Sequence, residues 1–238
     1  MVKFLDCTIR DGGNTTNWNF DKDFVIKLIE TLNNINVSYI EIGYRNHCDT
    51  EGKGEYYNCK PQFLKDFYNI KKNLQIGVMT DIKRYNEKDF PHAENDYLDF
   101  VRIATHPENI PEALSAATTL KEKGYKIFIQ LMDITNIDAN GYIALYGWEN
   151  KDILESLYIA DSYGIVEPKD IKNYFEKLKM LGYHKISFHG HNNNNMAIEN
   201  SLIAIKNRAY SVDGTLDGIG RCGGNADILK LINYTHKI

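Results

Sequence analysis

Two histidines two residues apart, His189 and His191, follow the apolar run Lys185-Ile186-Ser187-Phe188. In an extended strand, positions i and i+2 project from one face, so both imidazoles would leave one strand end together. Neutral imidazole is a common metal ligand, and such a pair offers two nitrogens to one cation. Packed or solvent-exposed histidines would satisfy the same spacing. A carboxylate at the end of another apolar run, Asp11 within Arg10-Asp11-Gly12, favours the metal reading.

The chain around these residues has 238 residues, 43% of them hydrophobic, enough for a sizeable core in one domain spanning 1–238. The formal charge of -4 argues against a broad nucleic-acid or membrane surface. Cys7, Cys48, Cys59 and Cys222 show no C-x-x-C spacing and read as reduced thiols, which points to the cytoplasm. Met1 leads straight into Val2-Lys3-Phe4-Leu5-Asp6 without an apolar leader, and no stretch approaches a membrane-spanning length.

Short apolar runs alternate with longer amphipathic ones. Strands are expected at 2–7, 37–42, 75–79, 98–104, 126–132, 156–160, 184–188 and 210–216. Between them, Asp21 to Leu32 carries Phe24, Val25, Leu28, Ile29 and Leu32 at helical spacing. Further helices are expected at 61–70, 107–123, 138–155, 168–181, 196–207 and 226–234, several of them stopping at a glycine. Thr50 to Lys60 reads as a long loop. Asp81 to Tyr97, polar and containing Pro91, is where the remaining helix should fall. Parallel strands need crossover helices, so this alternation predicts a (β/α)8 (TIM) barrel, with a doubly wound open sheet as the alternative. The barrel is favoured because polar residues mark the C-terminal ends of most runs, and only a barrel gathers those ends at one mouth.

Those ends supply Arg10, Asp11 and Asn14, then Glu41 and Arg45, Arg102, Asp161 and Ser162, His189 and His191, and Asp213. A glycine-rich turn follows, from Asp217 through Gly218, Gly220, Arg221, Cys222, Gly223 and Gly224 to Asn225. Asp161 and Asp213 could simply cap loops. Arg102 could pair with a neighbouring carboxylate inside the mouth. Glu41, inside an apolar strand, reads as a hydrogen-bonding partner, and Cys222 could be a small residue in a tight turn.

Leu5-Asp6-Cys7-Thr8-Ile9-Arg10-Asp11-Gly12-Gly13 resembles the opening motif of the metal-dependent pyruvate aldolase and acyl-CoA lyase/synthase superfamily. Its members include 4-hydroxy-2-oxovalerate aldolase, hydroxymethylglutaryl-CoA lyase and the isopropylmalate and homocitrate synthases. His189-Gly190-His191-Asn192 resembles a second motif, and Val212 to Arg221 with Gly224-Asn225-Ala226 a third. Tyr158 to Gly164 resembles a fourth segment. The matches run in order from residue 5 to residue 226.

The resemblance implies one divalent cation held by Asp11, His189 and His191, with Asn225 as an added ligand. A mixed nitrogen and oxygen set suits Mn²⁺ more than Mg²⁺, which prefers oxygen. The implied chemistry is an aldol or retro-aldol reaction of a pyruvate-type 2-oxoacid with an aldehyde, through a metal-stabilised enolate. Arg10 would stabilise the charged oxygen, Arg102 would contribute to substrate binding, and Ser162 would bind the substrate carboxylate.

Asn14 stands where the hydroxyoxovalerate aldolases carry a proton-transferring histidine. That role falls to a metal-bound water or to a histidine such as His47. Cys222 occupies a shorter version of the loop that bears a reactive cysteine in hydroxymethylglutaryl-CoA lyase. The chain is expected to be a barrel alone, without the docking region or regulatory domains of larger members, and homo-oligomers are possible. Three alternatives stand beside the aldolase: a Claisen-type acyl-CoA:2-oxoacid acyltransferase, an inactive barrel serving as a binding protein, and a metal-dependent hydrolase.

Overall fold

A computed structural model describes residues 2–235. Eight strands close into a parallel barrel in chain order. They are β1 Lys3–Asp6, β2 Tyr39–Tyr44, β3 Gln75–Asp81, β4 Phe100–Thr105, β5 Lys126–Leu131, β6 Leu154–Asp161, β7 Ile186–Gly190 and β8 Ser211–Gly214. The helices are α1 Thr8–Thr16, α2 Lys22–Asn34, α3 Pro61–Ile70, α4 Ile110–Glu122, α5 Ala139–Gly147, α6 Pro168–Met180, α7 Ala197–Lys206 and α8 Ile228–Thr235. The predicted barrel is thus observed. Among the described residues, no helix is long and apolar enough to cross a membrane.

Three local expectations change. β1 ends at Asp6 and the chain turns at once into α1, so Arg10 and Asp11 stand on a short helix. The helix expected through Glu155 stops at Gly147, and β6 begins at Leu154, whose partner is Ile127. Between β3 and β4 there is no α-helix but three 3-10 turns, Ile82–Arg84, Glu87–Asp89 and Ala93–Asn95. That segment has no apolar stripe to bury against the barrel.

The outer core lies between strands and helices, and a smaller inner core fills the barrel. Leu5, Cys7, Tyr39, Phe100, Phe128 and Tyr158 make up the inner core. The Tyr39, Phe100 and Phe128 rings meet edge to face at centroid distances of 5.1 to 5.6 Å. Gly77 is required here, because a Cβ would lie 2.3 Å from the Phe100 ring. Lys3, Tyr39, Glu155 and Tyr210 bond to one another at the barrel's lower end.

Strand periodicity then builds the next layer. Two residues beyond Tyr39, Phe100, Ser187 and Ser211 come Glu41, Arg102, His189 and Asp213, again facing inward. This polar layer therefore sits on an aromatic floor.

Candidate metal centre

The first turn of α1 carries Arg10 and Asp11 over the barrel mouth. Asp6 accepts the Thr8 N–H at 3.0 Å and the Thr8 hydroxyl at 2.8 Å, fixing the strand-to-helix turn. The Trp18 indole N–H donates to the Arg10 carbonyl at 2.9 Å, and its ring packs on Gly13 so closely that no Cβ fits there.

His189 is the penultimate residue of β7, and His191 follows the strand, bridged through its backbone to Asn225. The two rings stand 5.0 Å apart and nearly perpendicular. One ligand atom each from Asp11, His189 and His191 lies within 4.8 Å of the others. All three residues are buried, as is Asn225. The sequence-predicted set thus converges from α1, β7 and the turn after β8.

Hydrogen bonds fix both imidazoles in one tautomer. His189 Nδ1 donates to Asp213 Oδ2 at 3.0 Å, and His191 Nδ1 donates to the Gly224 carbonyl at 3.2 Å. Each Nε2 therefore carries its lone pair toward the centre, the arrangement by which outer partners orient metal-binding histidines. His189 Nε2 and Asn225 Oδ1 are buried without any hydrogen-bond partner. Buried polar atoms are seldom left unpaired. Both atoms have electron pairs to give, and both residues lie beside Asp11, His189 in the ligand cluster and Asn225 through its amide N–H, so the residues fit a cation.

Charge agrees with geometry. Arg10 Nη1 reaches Asp11 Oδ1 at 2.8 Å and Arg10 Nε reaches Glu41 Oε2 at 2.6 Å. Arg102 donates to Glu41 Oε1 at 2.7 Å and to Asp213 Oδ2 at 2.6 Å. Two guanidiniums thus face three carboxylates, leaving a buried excess of negative charge when all are ionised, and such a charge calls for a cation.

Burial alone would raise the Asp11 carboxyl, yet the Arg10 guanidinium, the two histidines and the Asn225 amide hold it down at about 2. Burial presses His189 well below the ordinary histidine value and His191 to about 4, with Arg10 and Arg221 adding to the effect on His191. Both histidines are therefore neutral at pH 7, the form in which an imidazole can bind a cation. Burial also raises Asp213, against the pull of Arg102.

The other expected residues divide. Arg102 is fully buried with all three guanidinium nitrogens engaged by Glu41 and Asp213, so the expectation of substrate binding gives way to the pairing alternative. Glu41 is the partner it was read as. Asn14 donates to the Asp11 carbonyl at 2.9 Å and positions that residue. Ser162 accepts the Asp133 N–H at 2.9 Å, which leaves its own O–H to donate. Asp161 accepts the N–H groups of Ile165 and Val166, the loop-capping reading. His47 stays outside the cluster, 67% exposed and paired with Asp89. Cys222 is exposed at a left-handed φ of 52°.

Two roles escape sequence reasoning: Asp213 as the orienting partner of His189, and Arg221, whose Nε lies 3.3 Å from His191 Nε2. Arg221 had one signal, a lone cation inside a glycine-rich turn.

Known proteins share this arrangement of elements. The chain is 29% identical to an oxaloacetate decarboxylase of Mycobacterium tuberculosis over 96% of its length and 68% of that protein's. It is 27% identical to a 4-hydroxy-2-oxovalerate aldolase of Carboxydothermus hydrogenoformans, covering 100% of this chain and 71% of the relative. The crystal structure of the N-terminal domain of a provisionally assigned aldolase from Bacteroides vulgatus superimposes with a TM-score of 0.89 at 30% identity, covering 99% of this chain and 80% of that one. The family described as HMGL-like matches residues 1–237, and the chain belongs to it.

Proposed function

We propose that this chain is a divalent-metal-dependent lyase of the aldolase type, acting on a pyruvate-type 2-oxoacid. One observation carries the reading. His189, whose Nε2 is an unpartnered buried acceptor, belongs to the Asp11, His189 and His191 cluster, and Arg10, bonded to Asp11, keeps Nη2 as an unpartnered buried donor. Acceptors suit a cation, and the donor suits an oxygen that gains negative charge.

Asp11, His189, His191 and Asn225 would hold the cation, and this mixed donor set favours Mn²⁺. When bound, the ion supplies Lewis-acid polarisation of the substrate's keto oxygen. Arg10 is held rigidly by Glu41 and Asp11, so Nη2 donates to that oxygen without reorganisation as charge develops. The Ser162 hydroxyl donates to the substrate carboxylate. Asn14 carries no titrating group, so the side chain that holds Asp11 does not relay the proton.

The acceptor would be an aldehyde in the aldol direction. A second reading is loss of carbon dioxide from a 2-oxodicarboxylic acid, favoured by the 29% identity to an oxaloacetate decarboxylase. Both break a bond to the carbon next to the carbonyl and use the same residues.

The test follows exchange of the pyruvate methyl protons in D₂O with Mn²⁺ present, stopped by chelator before the NMR spectrum is read. Metal-dependent exchange is expected, and its absence in Mn²⁺-loaded protein overturns the pyruvate reading. Parallel assays with oxaloacetate and a 4-hydroxy-2-oxoacid then separate decarboxylase from aldolase.

A further inference from the structure

Arg221 lies in the glycine-rich turn that overhangs the centre. Its Nε donates to His191 Nε2 at 3.3 Å, and its Nη2 donates to the Ser162 carbonyl at 3.4 Å. The His191 Nδ1 proton is committed to Gly224, so Nε2 has one lone pair, and Arg221 holds it. A cation at the centre needs that same lone pair. The two cannot share it, so a cation bound there releases the guanidinium.

The released charge has no carboxylate waiting for it. Arg10, Arg45 and Arg102 are each paired with buried carboxylates. Among the described residues, Arg221 forms no ion pair with a side-chain carboxylate. Its side chain is exposed and can turn without moving the backbone. Its second contact already holds it beside Ser162. A planar guanidinium fork also matches a carboxylate better than any other side chain.

We propose that Arg221 binds the carboxylate of the incoming 2-oxoacid, released for that task when a divalent cation takes His191 Nε2. This rests on the metal-dependent 2-oxoacid reading above and adds a residue to it. Two consequences follow from one contact. Arg221 competes with the cation for His191, so the cation alone binds more weakly than its ligands would permit. The acid gives the displaced guanidinium a partner, so cation and acid assist each other's binding, reciprocally.

The test needs no turnover. Mn²⁺ and then oxalate, an unreactive planar dianion, are titrated calorimetrically into the wild-type protein, Arg221→Gln and Arg221→Lys. Arg221→Gln should bind Mn²⁺ alone at least as tightly as wild type. Its Mn²⁺-loaded form should bind oxalate roughly tenfold more weakly or worse, the scale of a lost hydrogen bond to a charged group. Arg221→Lys keeps the charge without the fork and should fall between; it carries the test if the glutamine variant fails to fold.

Unchanged oxalate affinity in the variants overturns the assignment, and so does loss of Mn²⁺ binding, which would make Arg221 a brace. A wild-type protein that takes up neither Mn²⁺ nor oxalate overturns the functional reading as well. Wild type and variants that bind both ligands alike overturn the Arg221 role alone.

Discussion

The Nδ1 of His189 donates to Asp213 Oδ2 across 3.0 Å, and that oxygen also accepts from Arg102 Nη1 at 2.6 Å. One carboxylate therefore sets the direction of a candidate metal ligand and the position of the charge network beneath it. Asp213→Asn can keep an acceptor for one of these donors but lacks the charge to hold both. Mn²⁺ affinity should fall by roughly 10- to 100-fold, the usual effect of losing an orienting partner, as measured by calorimetry.

Asp11→Asn keeps the shape of the side chain and removes its charge. Arg10 and Asn225 both donate to Asp11, so the variant leaves donors facing an amide. Mn²⁺ binding should be lost while circular dichroism still reports a folded barrel. Retained tight binding would remove Asp11 from the centre.

Arg10→Lys preserves a cation near Glu41 but cannot reach Glu41, Asp11 and a substrate oxygen together. Metal should be kept, and turnover should drop by roughly 10²- to 10³-fold, the typical effect of losing one donor to a developing oxyanion. A kcat close to wild type would show that Arg10 does not act on that oxygen.

Gly220 presses on the centre from above. A Cβ there would lie 2.1 Å from Asn225 Nδ2 and 2.5 Å from Asp11 Oδ2. Gly220→Ala should therefore weaken Mn²⁺ binding sharply and lower the melting temperature, because buried Asn225 and Asp11 must shift to admit the methyl group. Calorimetry and a melting curve together test this.

His191 titrates at about 4 in the folded chain against an ordinary value of 6.5. A depressed histidine contributes stability that is present above 6.5 and is lost as pH falls through the folded value. The stability that His191 contributes to the metal-free protein should thus be lost between about pH 6.5 and 4, so the stability of wild type relative to His191→Gln should fall across that window in denaturation profiles. Mn²⁺ affinity should hold down to about pH 5 and collapse below 4, where protons compete for His191.

Much of this was legible in the sequence, for a physical reason. Buried parallel strands are continuous apolar runs, and the spacing of His189 and His191 carries through a strand unchanged. Helix α1 was not legible. Gly12 and Gly13 weaken it locally, and the Trp18 ring that packs on Gly13 supports it from outside. The short α5 misled because its apolar residues continue past Gly147, where the chain turns away. Arg102 could be recognised as a charge at a strand end. Its partners, Glu41 and Asp213, arrive from β2 and β8, and only closure of the barrel brings them to it.

The interlocked rings of Tyr39, Phe100, Phe128 and Tyr158 turn the barrel into a cul-de-sac. Whatever reaches His189 comes in by the upper doorway, past Arg221, and has to back out the same way.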